Sequence, residues 1–278
     1  MPLASNGGVD VYYEVDGPAD APTVVLVEGL GYGRWMWNWQ REALAERYET
    51  IVVDNRGTGE SDAPEGPYSI AEMAADVEAV LADHEAERAH LVGASMGGMI
   101  VQRYAIEYDR AASIALLCSS PGGEDAPAAS PEVQARMVAE PEGYDEREVI
   151  RHRMAPAMTG DFRERNDDLL ERIVDWRLEQ DAGDAAREAQ LAAVGAFDAA
   201  DRLGEIEAPA LVAHGTADRV LPVENADLLA DGLPDARLEL FEGGPHLFFI
   251  EQPEALNETL LDFLDEHAAG GRTGGDAR

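Results

Sequence analysis

The chain has 278 residues, 45% of them hydrophobic, which is enough for one large globular domain and excludes a disordered chain. Its 56 acidic residues face 21 basic residues, all of them arginine, for a formal net charge of −35, and such a surface repels nucleic acid and anionic membranes. The sequence contains no apolar run of the roughly 18 residues that a membrane span needs, no export signal and a single cysteine, Cys118, so it predicts a cytoplasmic protein without an internal disulfide.

Short apolar runs alternate with helical patterns along the chain. The runs VVLV, IVV and IALL are continuously apolar, as in strands that are covered on both faces. The alternation predicts an α/β fold with a mostly parallel, doubly wound sheet. The predicted strands are Val9–Val15, Thr23–Leu30, Thr50–Asn55, His90–Ala94, Ala112–Cys118, Ala210–His214 and Arg237–Phe241. The predicted helices are Trp35–Arg47, Ile70–His84, Met96–Tyr108, Val223–Leu229 and Pro253–Glu266.

One long segment, residues 121–200, has helical patterns separated by proline and glycine and no good strand. Because open α/β sheets bind ligands at the carboxyl edge, we expect this segment to be a helical lid over that edge, and a separate helical domain is the alternative. The predicted organisation is therefore a core of residues 1–120 and 201–268, a helical lid of residues 121–200, and a disordered tail of residues 269–278.

The stretch AHLVGASMGGMIVQRYA, residues 89–105, places one serine among glycines where a strand ends and a helix begins. In Gly93-x-Ser95-x-Gly97, a reactive serine must stand on a sharp, strained turn, and side chains two residues before or after it would collide. The helix N-terminus also places unpaired N–H groups beside the hydroxyl. We therefore predict that Ser95 is a nucleophile; the alternative is a glycine-rich turn with a structural role only.

A serine nucleophile needs a base, and His246 is the candidate among the six histidines. It follows the last predicted strand in FEGGPHLFFIEQP, where a tight Gly-Gly-Pro loop can project its ring over the sheet edge. His84 and His90 are predicted to lie at the surface, and His214, which ends an apolar strand, is predicted to be structural.

The acid that orients the base is expected at another strand end. Asp218, in ALVAHGTADRVLP, follows a buried strand in a turn before a helix, so we predict that it is the third member of a catalytic triad. Two alternatives are that Asp218 only caps that turn and that Asp125, in CSSPGGED, supplies the acid instead. The triad requires no cofactor, and the chain lacks HExxH, paired CxxC and calcium-loop motifs.

Four motifs make the sequence similar to the α/β-hydrolase fold family over nearly its whole length: VLVEGLGYG, VVDNRGTGESDAP, GASMGG, and HGTADRVLP paired with GGPH. Within that family the chain most resembles small serine esterases and enol-lactonases that carry a helical lid after the sixth strand. The resemblance implies an oxyanion hole formed by the backbone N–H groups of Leu30 and Met96.

The chain departs from the family at the end of the third strand, where the family usually has histidine and glycine and this chain has Glu28 and Gly29. An ionised carboxylate about 6 Å from a developing oxyanion, at an effective dielectric of about 20, costs about 3 kcal/mol, roughly a hundredfold in rate. Glu28 must therefore point away or be neutralised, and Arg56 on the neighbouring strand end is the predicted ion-pair partner. The alternatives are that Glu28 points into solvent or takes part in proton transfer.

Apolar side chains beside the oxyanion loop and in the lid predict a pocket for a small to mid-sized, mainly apolar ester or lactone. Core packing is the alternative for each of these side chains taken singly. The partner is thus expected to be a small molecule, and a homo-oligomer is compatible with the sequence. The predicted substrate-binding residues are Trp35, Met137, Met154, Met158 and Trp176.

The same triad supports other chemistries, so a C–C bond hydrolase, a thioesterase and a peroxidase are alternative functions. A haloalkane dehalogenase would need aspartate in place of Ser95. A non-catalytic ligand receptor is a rival that only Glu28 favours. An oxidoreductase is suggested by Gly29, Gly31 and Gly33, but their spacing is GxGxG instead of the dinucleotide-binding GxGxxG.

The acidic residues are spread along the chain and lie in helical stretches such as SIAEMAADVEAVLADHEAE, which argues against an acidic binding tail. The spread predicts adaptation to a very salty cytoplasm, because molar salt shrinks the Debye length to about 3 Å and screens the self-repulsion. We expect the fold to loosen in dilute buffer.

Overall fold

A computed structural model describes residues 2–268 and shows one sheet of eight strands. The strands are β1 (Leu3–Asn6), β2 (Val9–Asp16), β3 (Thr23–Val27), β4 (Glu49–Val53), β5 (Ala89–Ala94), β6 (Ala111–Leu117), β7 (Ala210–Gly215) and β8 (Ala236–Phe241). Their order across the sheet is β1-β2-β4-β3-β5-β6-β7-β8. The two pairs that involve β2 are antiparallel and the other five are parallel. The predicted α/β fold with a mostly parallel, doubly wound sheet is confirmed.

Helices cover both faces of this sheet. The α-helices are α1 (Asn38–Ala45), α2 (Ile70–Asp83), α3 (Met96–Glu107), α4 (Pro131–Val138), α5 (Glu146–Met154), α6 (Gly160–Arg165), α7 (Asp167–Gln180), α8 (Asp184–Gly195), α9 (Glu224–Gly232), α10 (Phe248–Glu251) and α11 (Pro253–Ala268). Short 3-10 helices span Arg34–Trp37, Ala155–Ala157 and Ala200–Glu205. One hydrophobic cluster joins the sheet to α2, α3 and α9, and a second joins its other face to α1 and α11. The central strands β3, β4 and β5 are consequently buried along their whole length, which explains their continuously apolar runs.

The chain between β6 and β7, all of which the structure describes, contains five α-helices and no further strand of the sheet. This helical insertion lies over the carboxyl edge of the sheet. The side-chain oxygen of Gln190 on α8 accepts a hydrogen bond from the Gly31 N–H (2.7 Å), and its amide nitrogen donates to the Arg56 carbonyl (2.9 Å). On the opposite side, the Leu247 N–H donates to the Ala157 carbonyl (2.9 Å). The insertion is thus attached to the loops that follow β3, β4 and β8.

Several element boundaries differ from the sequence predictions. The strand predicted to reach Leu30 ends at Val27, because the next residues form a loop in which Gly31 has a positive φ of 73°. Strand β1, an edge strand of four residues, was not predicted. The predicted tail, residues 269–278, lies outside the described residues. Between residues 2 and 268, no helix has both the length and the apolar character required to cross a bilayer.

Candidate active site

Ser95 stands on a strained turn between β5 and α3. Its φ of 55° lies in the left-handed region that L-residues rarely adopt. A Cβ on Gly93 would collide with the Gly97 carbonyl, and a Cβ on Gly97 would collide with the Val27 carbonyl of β3. The steric reason given for both glycines is therefore confirmed. The turn leaves Ser95 half-buried at the N-terminus of α3, where backbone N–H groups lack helical partners.

Asp218 and His246, 28 residues apart in sequence, meet at the ends of β7 and β8. His246 Nδ1 lies 2.7 Å from Asp218 Oδ2, and both side chains are at least nine-tenths buried. Asp218 Oδ1 accepts the N–H groups of Val220 (2.7 Å) and Leu221 (3.0 Å), which fix its orientation. The carboxylate therefore caps its turn and holds the imidazole at the same time.

His214 adds a second imidazole to this group, with its Nε2 3.2 Å from Asp218 Oδ2 and 2.8 Å from the Leu221 carbonyl. Burial opposes ionisation of Asp218, but the charge of His246 and hydrogen bonds from His214 and His246 outweigh burial and lower the pKa of Asp218 to about 2. Burial alone would lower the pKa of His246, yet the Asp218 charge raises it well above its ordinary value. Asp218 is thus an anion that favours the imidazolium.

The buried thiol of Cys118, which follows β6 with a φ of 40°, lies against His246 and the backbone of Ser95. Burial raises the pKa of Cys118, so the group is a neutral thiol. Cys118 therefore lies between the Ser95 backbone and His246. The Ser95 hydroxyl itself makes no hydrogen bond to residues 2–268. Hydrogen bonds of catalytic groups are often long in unliganded sites and tighten when substrate binds.

The loop after β3 passes directly beside Ser95. A Cβ on Gly29 would lie 3.7 Å from the Ser95 Cβ and 3.4 Å from the Ala94 carbonyl oxygen. The N–H groups of Leu30 and Met96 have no hydrogen-bond acceptor among the residues that the structure describes. Two unpaired N–H groups, one from this loop and one from the first turn of α3, are thus available as hydrogen-bond donors next to Ser95.

Glu28 does not pair with Arg56, and that prediction was wrong. The Arg56 guanidinium instead binds Asp76 on α2, with its Nε 2.7 Å from Oδ2 and its Nη2 2.8 Å from Oδ1. Glu28 is fully buried, so it does not point into solvent either. Its Oε2 accepts weak hydrogen bonds from the Asn55 N–H and the Thr58 hydroxyl, each at 3.3 Å. Arg56 pairs with Asp76 on α2 because the Asp76 carboxylate is itself buried and requires a cation.

Four of the five predicted pocket residues, all except Met137, lie in or against one apolar cluster. Trp35 is buried and stacks on Trp176 of α7, with 6.4 Å between ring centroids. Met154 and Met158 are buried in the same cluster, which also includes Ala94, Cys118 and Leu247 next to the site. Met154 lines a cavity inside the insertion, between α5, α6 and α7, that none of the predicted triad residues contacts. Met137 on α4 is half-buried and belongs to neither main cluster.

The predicted surface position of His90 was wrong, and the alternative acid Asp125 does not contact the predicted base. His90 is buried instead of exposed: its Nδ1 lies 2.8 Å from the Ser113 hydroxyl, and burial lowers its pKa to about 4. Asp125, the competing acid, is exposed and has no hydrogen bond to His246. Within residues 2–268, no group of three histidine, cysteine or acidic side chains is arranged to hold a metal ion.

Known proteins share the fold of this chain. Residues 22–253 match the protein family described as alpha/beta hydrolase fold. A solved enol-lactonase from Burkholderia xenovorans LB400 superposes with a TM-score of 0.81 at 29% identity, over 95% of this chain and 100% of the other.

Two curated relatives are both named "Putative carbamate hydrolase RutD". The protein from Variovorax paradoxus (strain S110) is 35% identical over 266 residues, which are 94% of this chain and 98% of that protein. The protein from Azorhizobium caulinodans is 43% identical over 106 residues, which are 38% of this chain and 39% of that protein. The second match thus spans less than half the length of the relative.

Proposed function

Because the chain belongs to the α/β-hydrolase fold family and is a hydrolase of that fold, we propose that it cleaves a carboxylic ester or lactone through an acyl-enzyme on Ser95. The observation that carries the proposal is the buried Asp218–His246 pair together with the strained Ser95 turn, with Cys118 lying against both His246 and the Ser95 backbone. A structural serine needs neither a left-handed φ nor an oriented imidazole near it, whereas a nucleophile needs both.

In the proposed mechanism Asp218 holds His246 through Nδ1, which leaves Nε2 as the base. His246 takes the Ser95 proton as the hydroxyl oxygen attacks the acyl carbon, and the N–H groups of Leu30 and Met96 stabilise the tetrahedral oxyanion. His246 then gives the proton to the leaving oxygen, and a water attacks the acyl-enzyme by the same route in reverse.

The electrostatics of Asp218 fit this role. A carboxylate with a pKa of about 2 stays ionised and stabilises the imidazolium that forms during attack. The same charge raises the pKa of His246 above the ordinary histidine value of 6.5. Because the base acts in its neutral form, activity falls as the pH falls through this raised pKa.

The substrate is proposed to be small to mid-sized and mainly apolar. The cluster formed by Trp35, Met154, Met158 and Trp176 continues to Ala94 beside Ser95, so an acyl group enters apolar surroundings. The likeness to an enol-lactonase structure supports a lactone among the ester substrates. The helical insertion is proposed to act as the lid of this site.

A carbamate is the second candidate substrate, because the Variovorax relative with the carbamate hydrolase name aligns over nearly the whole chain. A carbamate has a carbonyl carbon that Ser95 can attack in the same way. The difference lies in the nitrogen bonded to that carbon, which reduces its reactivity.

The test is a panel of chromogenic esters, lactones and carbamates in molar KCl, with wild type and Ser95→Ala. We expect turnover of esters or lactones by wild type and a kcat lower by about 10⁶-fold in Ser95→Ala. Ser113→Ala is the matched control, because Ser113 is a buried serine outside the proposed site whose hydroxyl lies 2.8 Å from Nδ1 of a histidine, His90.

A serine-reactive phosphonate gives a second readout that needs no substrate. Wild type and Ser113→Ala should be labelled on Ser95, and Ser95→Ala should stay unlabelled. An unlabelled wild type without turnover on the whole panel would overturn the proposal that Ser95 is the nucleophile of an ester or lactone hydrolase. Carbamate turnover well above ester turnover would select the second candidate.

A further inference from the structure

Two fully buried carboxyl groups, Glu28 and Asp54, directly follow Val27 and Val53, which pair in register at the ends of the parallel strands β3 and β4. The register places the two side chains next to each other, and Glu28 acts on the pKa of Asp54. One oxygen of each is satisfied: Glu28 Oε2 by the two donors described above, and Asp54 Oδ2 by the Glu60 N–H (2.9 Å) and the Arg34 guanidinium. Glu28 Oε1 and Asp54 Oδ1 are buried and have no partner among the described residues. Two orphaned acceptors in contact destabilise the fold unless a donor lies between them.

We propose that one proton, carried by Glu28 and donated to Asp54, joins the two carboxyl groups and makes Glu28 a positioning residue for the oxyanion loop. A single O–H group supplies the donor that both orphaned oxygens lack. The pair then holds one negative charge, which the neighbouring Arg34 guanidinium balances. The role in hydrolysis rests on the proposed function, whereas the shared proton does not.

The surroundings favour one proton over none. Burial and then the charge of Asp54 raise the pKa of Glu28 well above its ordinary value. Burial also raises the pKa of Asp54 to about 6, against the Glu60 N–H and Arg34, which lower it. Burial and the adjacent charge of Asp54 therefore favour a proton on Glu28 over two ionised carboxylates.

The groups that face the pair offer no second cation. Arg34 also pairs with Glu14 on β2, because the Arg34 Nε lies 3.3 Å from the Glu14 Oε1. The Arg34 guanidinium lies 4.7 Å from the centroid of the Tyr12 ring. Arg56 follows β4 but binds Asp76 and Glu72 on α2. Loss of the proton therefore leaves two carboxylates opposite one guanidinium.

The shared proton holds the segment that carries the Leu30 N–H. Glu28 begins this segment, and its carbonyl accepts a hydrogen bond from the Asn55 side chain (3.0 Å). Arg34 ends the segment and binds the same Asp54. Both ends are thus fixed to one carboxylate. A neutral Glu28 also avoids the roughly hundredfold rate penalty of an anion beside the oxyanion.

Infrared difference spectroscopy tests the proton directly. At neutral pH, the wild-type spectrum in heavy water should contain the carbonyl stretch of a neutral carboxylic acid that is missing in Glu28→Gln. Glu65→Gln is the control, because Glu65 is an exposed acid outside the buried pair. An unchanged band in Glu28→Gln, or no band in wild type, overturns the shared proton whether or not the chain is a hydrolase.

The pH profile tests the positioning role. Wild-type kcat should fall at alkaline pH as the pair loses its proton. In Glu28→Gln, whose amide can still donate to Asp54, this fall should move to higher pH or disappear. Glu28→Ala lacks the donor, so its kcat should be lower by about 10- to 100-fold with little change in KM. The upper end of this range approaches the loss caused by removing an oxyanion-hole donor.

The two readouts separate the possible failures. If Glu28→Gln lost as much kcat as Glu28→Ala, a structural need for glutamate would replace the positioning role. If the infrared band behaved as expected but no substrate were cleaved and no phosphonate bound, the proposed function would fail while the shared proton stood.

Discussion

Two buried carboxyl groups near Ser95 show that burial alone does not set the charge of an acid. Asp218 and Glu28 are both almost inaccessible to solvent. Asp218 receives two backbone N–H groups and lies within 3.2 Å of two imidazoles, so its pKa falls to about 2. Glu28 receives two weak hydrogen bonds and contacts Asp54, so its pKa rises well above the ordinary value.

The difference in pKa between Asp218 and Glu28 gives the two regions around Ser95 opposite electrostatic properties. The loops after β7 and β8 form an acid–imidazole pair whose negative charge is permanent. The loops after β3 and β4 form a pair of acids whose second charge is suppressed. In the proposed mechanism, a developing oxyanion needs a proton relay on one side and no negative charge on the other, and the two regions would supply these separately.

The largest expected effect breaks the first half of this comparison. Asp218→Asn keeps an oxygen for the Val220 and Leu221 N–H groups but removes the charge, so kcat should fall by about 10⁴-fold. The acid limb of the kcat/KM profile should also move to lower pH, because the carboxylate no longer raises the pKa of His246. Steady-state kinetics across pH measure both effects. Asp125→Asn is the control, and equal losses in the two variants would contradict the assignment.

A smaller effect sharpens the second half. Since the pKa of Glu28 is higher in the folded chain than its ordinary 4.5, its contribution to stability is complete below that pH and is lost as the pH rises toward the folded pKa. Glu28→Gln has no such loss, so its free energy of unfolding should rise relative to that of wild type by about 1.4 kcal/mol per pH unit in this range. Its melting temperature should rise relative to that of wild type accordingly. Thermal melts from acid to neutral pH in molar KCl measure the gap, and Glu65→Gln should show none.

The smallest expected effect concerns the thiol between the two regions. Cys118 is buried with a raised pKa, so a disulfide reagent should titrate no thiol in the native chain and one per chain after unfolding. Cys118→Ala should cost about 1 kcal/mol of stability by leaving a small void. Rapid native titration would show that the region around His246 opens to solvent.

Local sequence patterns predicted the sheet because its strands are apolar on both faces. The boundaries were less accurate where the backbone changes direction: Leu30 was placed in a strand that ends at Val27. Strand β1 was missed because LASN has only one buried residue and pairs at an edge. His90 was placed at the surface because its charged neighbours in sequence conceal its position in a central strand.

For the candidate site, the spacing of motifs placed Ser95, Asp218 and His246 at strand ends, and the structure brings Asp218 and His246 together there. The partner of Glu28 was mistaken because charge complementarity selects Arg56, whereas the structure places a second acid next to it. No sequence rule favours two acids in contact. The contact of Cys118 with His246 was also missed, although Cys118 ends an apolar run and was therefore expected at the carboxyl edge of the sheet.

The attachment of the helical insertion to the core combines two neutral amides with one carboxylate, because Asp181 Oδ1 accepts the Trp35 Nε1–H (2.8 Å) and the Gly33 N–H (3.2 Å). Gln190 bonds to Gly31 and Arg56, and Gln180 bonds to Trp35 through its side chain (3.0 Å) and to Gly59 through its carbonyl (2.8 Å). Neither glutamine titrates, and dissolved ions screen hydrogen bonds between uncharged dipoles far less than they screen ion pairs. The two glutamine contacts between α7–α8 and the core should therefore weaken less with rising ionic strength than the ion pairs of the surface do.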